Sequence, residues 1–277
     1  MGGLKDLSVA DLSATLTHQK LHALSIDSDV YSAFEYMDHE KIIVAPVKTA
    51  SGSYDYLLGV EDLVDYCVLQ VAGQENNLQP ENIPRLKDKL SSLLKSKPET
   101  HFALPHIKET SHLSDILVQF AQGRHKVFVD AAQPYLISQH DMIKFLNDKP
   151  ELVPETLKKS TVQTLGYCPR SIFIANNTDS ALHVLRKLIS RDINAAPIVD
   201  ANGMIIGNFS TSDLKGMDDV MLQDLNLNCV EFLKEENARG AGHPIEVKED
   251  AKFGEVMLLL AFSGAHRVWV TDASKKP

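Results

Sequence analysis

Two Ser-x-x-Asp pairs are the residues in this sequence best suited to hold a ligand. Ser138 lies three residues before Asp141, and Ser210 lies three residues before Asp213. Each pair stands where a short apolar run gives way to a helical pattern, and the start of a helix offers backbone N–H groups without intrahelical partners. A carboxylate placed there can accept hydrogen bonds from vicinal sugar hydroxyls. The same spacing is also that of an ordinary helix cap, which is the competing interpretation.

Two pairs of a histidine and a cation form the second chemical feature. His125-Lys126 and His266-Arg267 each stand at the start of a short apolar strand pattern. One such pair alone is most often solvated surface, but its recurrence at matching positions favours a role in binding. The net charge of −9 disfavours a non-specific grip on nucleic acid or on an anionic membrane. An anionic ligand would therefore need these local basic residues.

A fourfold internal repeat positions these residues. Each copy begins with a helix-period apolar stripe and continues with an apolar strand, and three copies add a turn, a returning strand and a second helix. The stripes span 30–37, 113–120, 181–189 and 253–260, with helix caps expected at Ser28-Asp29, Ser111, Thr178-Asp179 and Asp250. The first strands are predicted at 42–47, 127–129, 195–199 and 268–270, the returning strands at 56–60, 135–137 and 204–209, and the second helices at 62–69, 141–146 and 213–217.

The repeat predicts an α/β fold of four small domains. Their expected bounds are 1–71, 101–149, 150–220 and 221–277, and the connection over 72–100 should hold one short amphipathic helix at 86–94. A unit of this size is too small to be stable alone, so we expect each copy to pack with its neighbour, giving two pairs. The fourth copy lacks a returning strand and a second helix. We therefore expect either a fragment or an edge completed by something else.

The third copy resembles the cystathionine β-synthase (CBS) domain, a regulatory module that works in tandem pairs. The resemblance rests on INAAPIVDANG at 193–203 and IGNFSTSDL at 206–214. The arrangement of four copies is similar to the γ regulatory subunit of AMP-activated protein kinase, through SQHDMIKFL at 138–146 and GAHRVWV at 264–270. It covers about residues 20 to 272 and implies two CBS pairs packed as a disc.

The resemblance implies that AMP, ADP or ATP binds in the clefts between repeats. In such proteins the Ser and Asp of each pair place the ribose, the backbone of the first strand flanks the adenine, and basic residues at the start of that strand meet the phosphates. It thus implies nucleotide-binding roles for Asp213, Ser210, Asp141, Ser138, Ala195, His125, Lys126, His266 and Arg267. Thr178 is a further candidate, although a helix cap is the favoured reading for it.

Two copies depart from the family pattern. The first copy has Ile43 where the γ subunit carries an arginine, and no hydroxyl residue lies three positions before Asp62. The third copy has Asn194 and Ala195 at the equivalent place. We therefore expect fewer competent sites than the family maximum, with Asp213 as the best ribose anchor and Asp141 next.

No catalytic signature occurs in the sequence. It lacks HExxH, GxxxxGK[ST], GxGxxG and GxSxG motifs, and His18 and His22 have no third ligand at a recognisable spacing, so we expect no enzyme, metal or cofactor. The three cysteines are far apart, and no apolar signal or membrane segment is present, which favours the cytoplasm or nucleus.

The resemblance implies a regulatory subunit that reports nucleotide occupancy to the catalytic and scaffold subunits of a protein kinase. It also allows for dimerisation through the CBS pairs. The alternative is a CBS scaffold without a ligand that regulates a kinase or phosphatase through protein contacts alone. A small nucleotide hydrolase is a remote third reading.

Overall fold

The computed structural model describes residues 4–16, 21–68, 82–168, 171–236 and 244–277. The chain divides into two compact units. Unit 1 comprises Met1–Leu21, Leu104–Arg170 and Ile245–Ala273, and unit 2 comprises His22–Ala103, Ser171–Pro244 and Ser274–Pro277. Unit 1 thus holds the second and fourth copies, and unit 2 holds the first and third. Each copy had been expected to pack with its neighbour in the chain, so the grouping of alternate copies differs from the sequence-based expectation.

Each of the first three copies forms a three-stranded sheet, and the fourth forms a two-stranded one. The strands are β1 (Leu24–Ser25), β2 (Val44–Lys48), β3 (Tyr54–Gly59), β4 (His106–Lys108), β5 (Lys126–Asp130), β6 (Tyr135–Ser138), β7 (Ala175–Asn176), β8 (Ala195–Val199), β9 (Ile205–Ser210), β10 (Glu246–Lys248) and β11 (Trp269–Thr271). The predicted central and returning strands are therefore confirmed, with small shifts at their ends.

The α-helices lie between and after these strands. They are α1 (Val9–Ser13), α2 (Val30–His39), α3 (Val60–Val68), α4 (Leu90–Leu94), α5 (Glu99–Phe102), α6 (Leu113–Ala121), α7 (Gln139–Asp148), α8 (Glu155–Lys159), α9 (Ala181–Ser190), α10 (Asp219–Asp224), α11 (Cys229–Glu236) and α12 (Phe253–Ser263). Short 3-10 helices occupy Leu4–Asp6, Pro84–Lys87, Pro150–Leu152 and Thr211–Leu214. No helix in the described ranges is long and apolar enough to cross a membrane.

Each copy also has an edge strand that the sequence did not predict. β1, β4, β7 and β10 precede the first helix of their copies and pair in parallel with the central strands β2, β5, β8 and β11. The returning strands pair antiparallel on the opposite edge. An edge strand of two or three residues is too short to display a period, so pattern reading could not find it.

The caps of the first helices were predicted correctly in one copy. Asp29 accepts a hydrogen bond from the Ser32 N–H over 2.7 Å. In the third copy the cap is Ser180, which accepts from the His183 N–H over 3.2 Å, so the prediction of a cap at Thr178-Asp179 was wrong. The caps predicted at Ser111 and Asp250 were also wrong, since His112 and Lys252 hold the N-cap positions of α6 and α12.

The second helix of the third copy differs from its prediction. A helix was expected over 213–217, but the chain forms the 3-10 helix Thr211–Leu214 and then turns at Gly216, whose φ of 78° lies in the left-handed region. In the first and second copies the expected helices are present and begin two residues earlier than predicted, as α3 and α7. The third copy therefore presents only a short helical turn after its returning strand.

The connection between the first two copies is part of the core rather than a simple linker. The single helix expected over 86–94 is divided into Pro84–Lys87 and α4, and residues 69–81 lie outside the described part of the chain. At the break, Val30 N–H donates to the Asp88 carbonyl over 3.0 Å and Leu90 N–H donates to the Ser28 carbonyl over 2.9 Å. This backbone pairing holds α4 beside the start of α2.

The core of unit 2 explains why the first and third copies are grouped. One cluster joins the first and third copies in unit 2, and it includes the fully buried Phe34, Leu185 and Phe209. The second cluster lies in unit 1, where the N-terminal Leu12 packs with the second copy. A single copy is too small to cover its own apolar side chains, and segments distant in sequence pack against them.

Candidate functional site

The first Ser-x-x-Asp pair caps α7 in unit 1. Ser138 donates to Oδ2 of Asp141 through its backbone N–H over 2.8 Å and through its hydroxyl over 2.6 Å. The Asp141 N–H donates back to Oγ of Ser138 over 3.2 Å. The capping interpretation is thus confirmed for this pair. The box uses Oδ2 and fixes the carboxylate, while Oδ1 lies outside the box.

The first basic pair lies beside this cap. Lys126 begins β5 and is the cross-strand partner of Ser138 in β6. The Gln139 N–H, at the start of α7, donates to the His125 carbonyl over 3.3 Å. The antiparallel strand pairing therefore brings His125-Lys126 to the helix start that carries Asp141.

The second basic pair joins the same unit from the fourth copy. His266 lies between Gly264, the left-handed C-cap of α12, and strand β11. Its side chain is exposed, yet the protein around it partly desolvates the imidazole, and this desolvation is the largest cause that lowers its pKa below 6.5. The charges of Arg267, His140, Lys126 and His125 lower the pKa further, in that order.

These five residues form what we call the basic cluster: His125, Lys126, His140, His266 and Arg267. Lys126 of the second copy and Arg267 of the fourth both lower the pKa of His266, so cations from both copies lie within electrostatic reach of the same imidazole. Clustered like charges repel, and a bound anion would relieve that repulsion. The cluster is therefore chemically suited to a phosphate or another oxyanion.

His140 is the member that sequence reasoning missed as a site residue. It is the second residue of α7 and lies between Ser138 and Asp141. The signal was present, because a histidine in the first turn of a helix adds a group that can donate to an anion held at that helix start. The motif had been read only for its Ser and Asp.

The second Ser-x-x-Asp pair lies in unit 2 and has a different surrounding. The Ser210 N–H donates to Oδ2 of Asp213 over 2.7 Å, and the Ser210 hydroxyl donates to the Asn194 carbonyl over 3.1 Å. Ala195, the first residue of β8, is the cross-strand partner of Ser210. Thr178 lies exposed in the turn before α9, outside the cap that Ser180 provides. The strand-start position beside this pair thus carries Asn194 and Ala195 rather than cations.

The equivalent aspartate of the first copy is engaged at both oxygens. The Gly59 N–H donates to Oδ2 of Asp62 over 2.9 Å, and Nε2 of His101 lies 3.0 Å from Oδ1. Ile43 is half-buried at the place where a cation would be needed. Asp62 therefore serves the structure of unit 2.

The thiols have pKa values that disfavour reactivity. Burial is the main cause that raises the pKa of Cys67 to about 12 and that of Cys229 to about 11. Cys168 is partly exposed, and desolvation followed by the charge of Glu249 raises its pKa as well. No group of three His, Cys, Asp or Glu side chains in the described ranges is arranged to hold a metal ion. His18 lies outside those ranges.

Comparison with known proteins identifies the class of fold. Residues 167–217 match the family model of the CBS domain. The structure of protein MJ1225 from Methanocaldococcus jannaschii, described as a candidate archaeal homologue of g-AMPK, superimposes with a TM-score of 0.72 at 15% identity, covering 98% of this chain and 95% of that one. The chain thus contains a CBS domain and has the fold of CBS-domain proteins, as the resemblance predicted.

Two curated relatives are similar in sequence over most of this chain. Protein sds23 of Neosartorya fischeri is 25% identical over 252 residues, which cover 81% of this chain and 45% of the relative. The SNF1-related protein kinase regulatory subunit gamma-like PV42b of Arabidopsis thaliana is 21% identical over 271 residues, covering 83% of this chain and 74% of that protein. The chain spans 45%, 59% and 50% of three Sds23 relatives, about half of their length.

Proposed function

We propose that this chain is a non-catalytic regulatory protein that binds adenine nucleotides in unit 1 and regulates a protein kinase complex. The observation that carries the proposal is the convergence of the basic cluster beside the cap formed by Ser138 and Asp141. The CBS fold and the similarity to a gamma-like kinase regulatory subunit support a regulatory role. The combination of a carboxylate and nearby basic residues supports a nucleotide as the ligand.

Asp141 is the proposed ribose anchor. Its Oδ2 is tied into the capping box, so the carboxylate is held in one orientation before any ligand arrives. A preorganised acceptor loses little side-chain entropy on binding. Oδ1, outside the box, is the atom we assign to a ribose hydroxyl.

The phosphate end is assigned to the basic cluster. Arg267 can hold a phosphate through two parallel N–H donors, whereas Lys126 acts as a single point charge. His266, whose pKa is lowered, can take up a proton when a phosphate arrives, because a nearby anion favours the charged imidazole. AMP, ADP and ATP differ in phosphate charge, so this end of the site would discriminate among them.

Unit 2 is proposed as the weaker site. Its strand starts carry Ile43 in one copy and Asn194-Ala195 in the other, without the cations that the second and fourth copies supply. A nucleotide bound near Asp213 would lack these phosphate contacts. The grouping of copies thus favours Asp141 over Asp213, the reverse of the order expected from sequence.

Regulation would operate through linkage. A nucleotide that favours one arrangement of the protein shifts a partner's equilibrium by its differential affinity, commonly ~1–3 kcal/mol. The proposed partners are the catalytic and scaffold subunits of a kinase of the AMP-activated type, in the cytoplasm or nucleus. These partners are inferred from the resemblance and from the Arabidopsis relative.

Titration calorimetry of the full chain with AMP, ADP and ATP tests the proposal. Saturable binding of at least one nucleotide supports it, and absent or millimolar binding of all three contradicts it. The second candidate is a ligand-free scaffold acting on a kinase or phosphatase through protein contacts, which is favoured by the double engagement of Asp62. That candidate predicts a co-purifying partner whose affinity is unchanged by adenylates.

A further inference from the structure

The turn that leads into β5 differs from the matching turns of the first and third copies. In those two copies the turn between the first helix and the central strand carries Ile42 and Ile193, and both side chains pack against the core of unit 2. The matching residue of the second copy is Arg124. A charged guanidinium cannot take the place of an isoleucine against an apolar core, so this turn needs a different anchor.

The residue at the start of α7 supplies such an anchor. Nε2 of Gln139 donates to the Arg124 carbonyl over 3.2 Å, and the Gln139 N–H donates to the His125 carbonyl over 3.3 Å. On the other side of the turn, the Arg124 N–H donates to the Gln119 carbonyl in α6 over 3.2 Å. Gln139 thus holds two consecutive carbonyls of the segment that precedes β5.

The backbone half of this arrangement recurs in the first and third copies. Val60 and Thr211 occupy the position of Gln139, and their N–H groups donate to the carbonyls of Ile43 and Asn194 over 2.9 and 3.0 Å. Valine has no side-chain donor, and the hydroxyl of threonine is two bonds closer to the backbone than the amide nitrogen of glutamine. The long side-chain donor therefore stands in the copy whose strand start carries cations.

We propose that Gln139 is a positioning residue that holds His125-Lys126 in place for an oxyanion bound in unit 1. The inference rests on the proposed function, in which this oxyanion is the phosphate of a nucleotide. Lys126 directly follows the two held carbonyls and lies opposite Ser138 across the strand pair. Because the members of the basic cluster repel one another, a tether on the backbone keeps this segment in place before an anion arrives.

A neutral amide is suited to this role. The Arg124 carbonyl needs a donor, a cationic donor would add to the repulsion within the basic cluster, and a carboxylate could not donate. Gln139→Met keeps the length of the side chain and removes the donor. This variant therefore tests the hydrogen bond with little change in packing.

The imidazole of His266 reports the position of His125-Lys126 without any ligand. Desolvation is the largest cause that lowers its pKa, and the charges of the other four members of the basic cluster lower it further. If Gln139→Met releases the pair, their repulsion weakens and the pKa of His266 should rise toward 6.5. Imidazole titration of the full chain by NMR spectroscopy measures this pKa, with His266→Gln to assign the signal.

A second substitution separates positioning from a general loss of structure. Lys126→Met removes one repelling charge and should raise the pKa of His266 in the original chain. In the Gln139→Met background the same substitution should raise it by less, because Lys126 is no longer held near the imidazole. Gln122→Met is the matched control, since Gln122 is exposed in the same turn, and it should leave the titration unchanged. Circular dichroism checks that the variants remain folded.

The affinity for AMP is the functional measurement. Gln139→Met should weaken AMP binding by about two- to tenfold, the loss expected for one neutral hydrogen bond, and Gln122→Met should change it by less than about twofold. A chain that binds no AMP but shows the expected titrations of His266 would contradict the proposed function and support the positioning role of Gln139.

Four results would overturn the proposal. The first is an unchanged pKa of His266 in Gln139→Met, and the second is an equal rise in Gln122→Met. The third is a rise caused by Lys126→Met that is the same with and without Gln139. The fourth is unchanged AMP affinity in Gln139→Met when the original chain binds AMP.

Discussion

Nε2 of His101 lies 3.0 Å from Oδ1 of Asp62, which engages the aspartate of the first copy on the side opposite its cap. The Gly59 N–H already donates to Oδ2 of the same carboxylate. At the matching place in the second copy, the capping box of Asp141 involves only Oδ2. Two aspartates at equivalent repeat positions thus have different surroundings, and the repeat contains its own control.

Asp141→Asn should weaken AMP binding by about 10- to 100-fold, because a hydrogen bond from a ribose hydroxyl to a charged acceptor would be replaced by a neutral one. Asp62→Asn is the matched control and should change the affinity by less than about twofold. Titration calorimetry on the two full-length variants measures both effects. Equal affinities for the two variants would remove Asp141 from the ribose role.

AMP binding should strengthen as the pH falls from about 8 to about 6.5. The pKa of His266 in the unliganded protein lies below 6.5, and a bound phosphate would raise it, so binding takes up a proton and is favoured at lower pH. His266→Gln should flatten this dependence of the affinity on pH. Measuring the AMP affinity of both proteins at several pH values checks how steeply it depends on pH. An equally steep dependence in His266→Gln would contradict the role of His266 in phosphate binding.

The acidic end of α11 should make folding stability depend on pH. Burial raises the pKa of Glu236 from 4.5 to about 7, and Asp224 and Asp218 add to the effect. The folded state therefore holds this proton more tightly than the unfolded state, so the stabilisation is fully present below about pH 4.5 and is lost as the pH rises through about 7.

Glu236→Gln should remove this pH dependence and leave the variant more stable than the original chain above pH 7. Urea unfolding of both proteins between about pH 5 and 8 compares their free energies of unfolding. Two curves that run parallel across this range would show that Glu236 is not protonated in the folded protein.

The native chain should expose one thiol that a reagent in solution can reach. Cys67 and Cys229 are buried with pKa values of about 12 and about 11, whereas Cys168 is partly exposed. A colorimetric thiol reagent should therefore titrate one thiol per native chain and three in denaturant. Rapid reaction of all three without denaturant would contradict the buried positions of Cys67 and Cys229.

Much of the fold could be predicted because the repeat reinforces weak local signals. Strand β8 has the predicted bounds, and α9 has the predicted apolar stripe. The short edge strands could not be predicted, since two or three residues carry no periodicity. The grouping of alternate copies was also beyond local pattern, because it depends on which apolar faces meet across long stretches of chain.

The site was predictable in its residue types but not in their grouping. Ser138-Asp141 and His125-Lys126 lie at the expected starts of α7 and β5, whereas Ser210-Asp213 leads into a 3-10 helix and His266-Arg267 precedes β11. The sequence placed His125-Lys126 in the same copy as Asp141, but it could not indicate that His266-Arg267 of the fourth copy joins them in unit 1 while Asp213 lies in unit 2. That distinction follows from tertiary packing and changes which aspartate we expect to bind a nucleotide.

The most direct test is a pair of charge-removing variants, Lys126→Met from the second copy and Arg267→Met from the fourth, each titrated with AMP in the full chain. If both copies serve one site, each variant should weaken the same binding event by at least about tenfold. The double variant should then lose less binding free energy than the sum of the two single losses. Unchanged affinity in both variants would contradict the account. So would two independent binding events, each removed by only one of the substitutions.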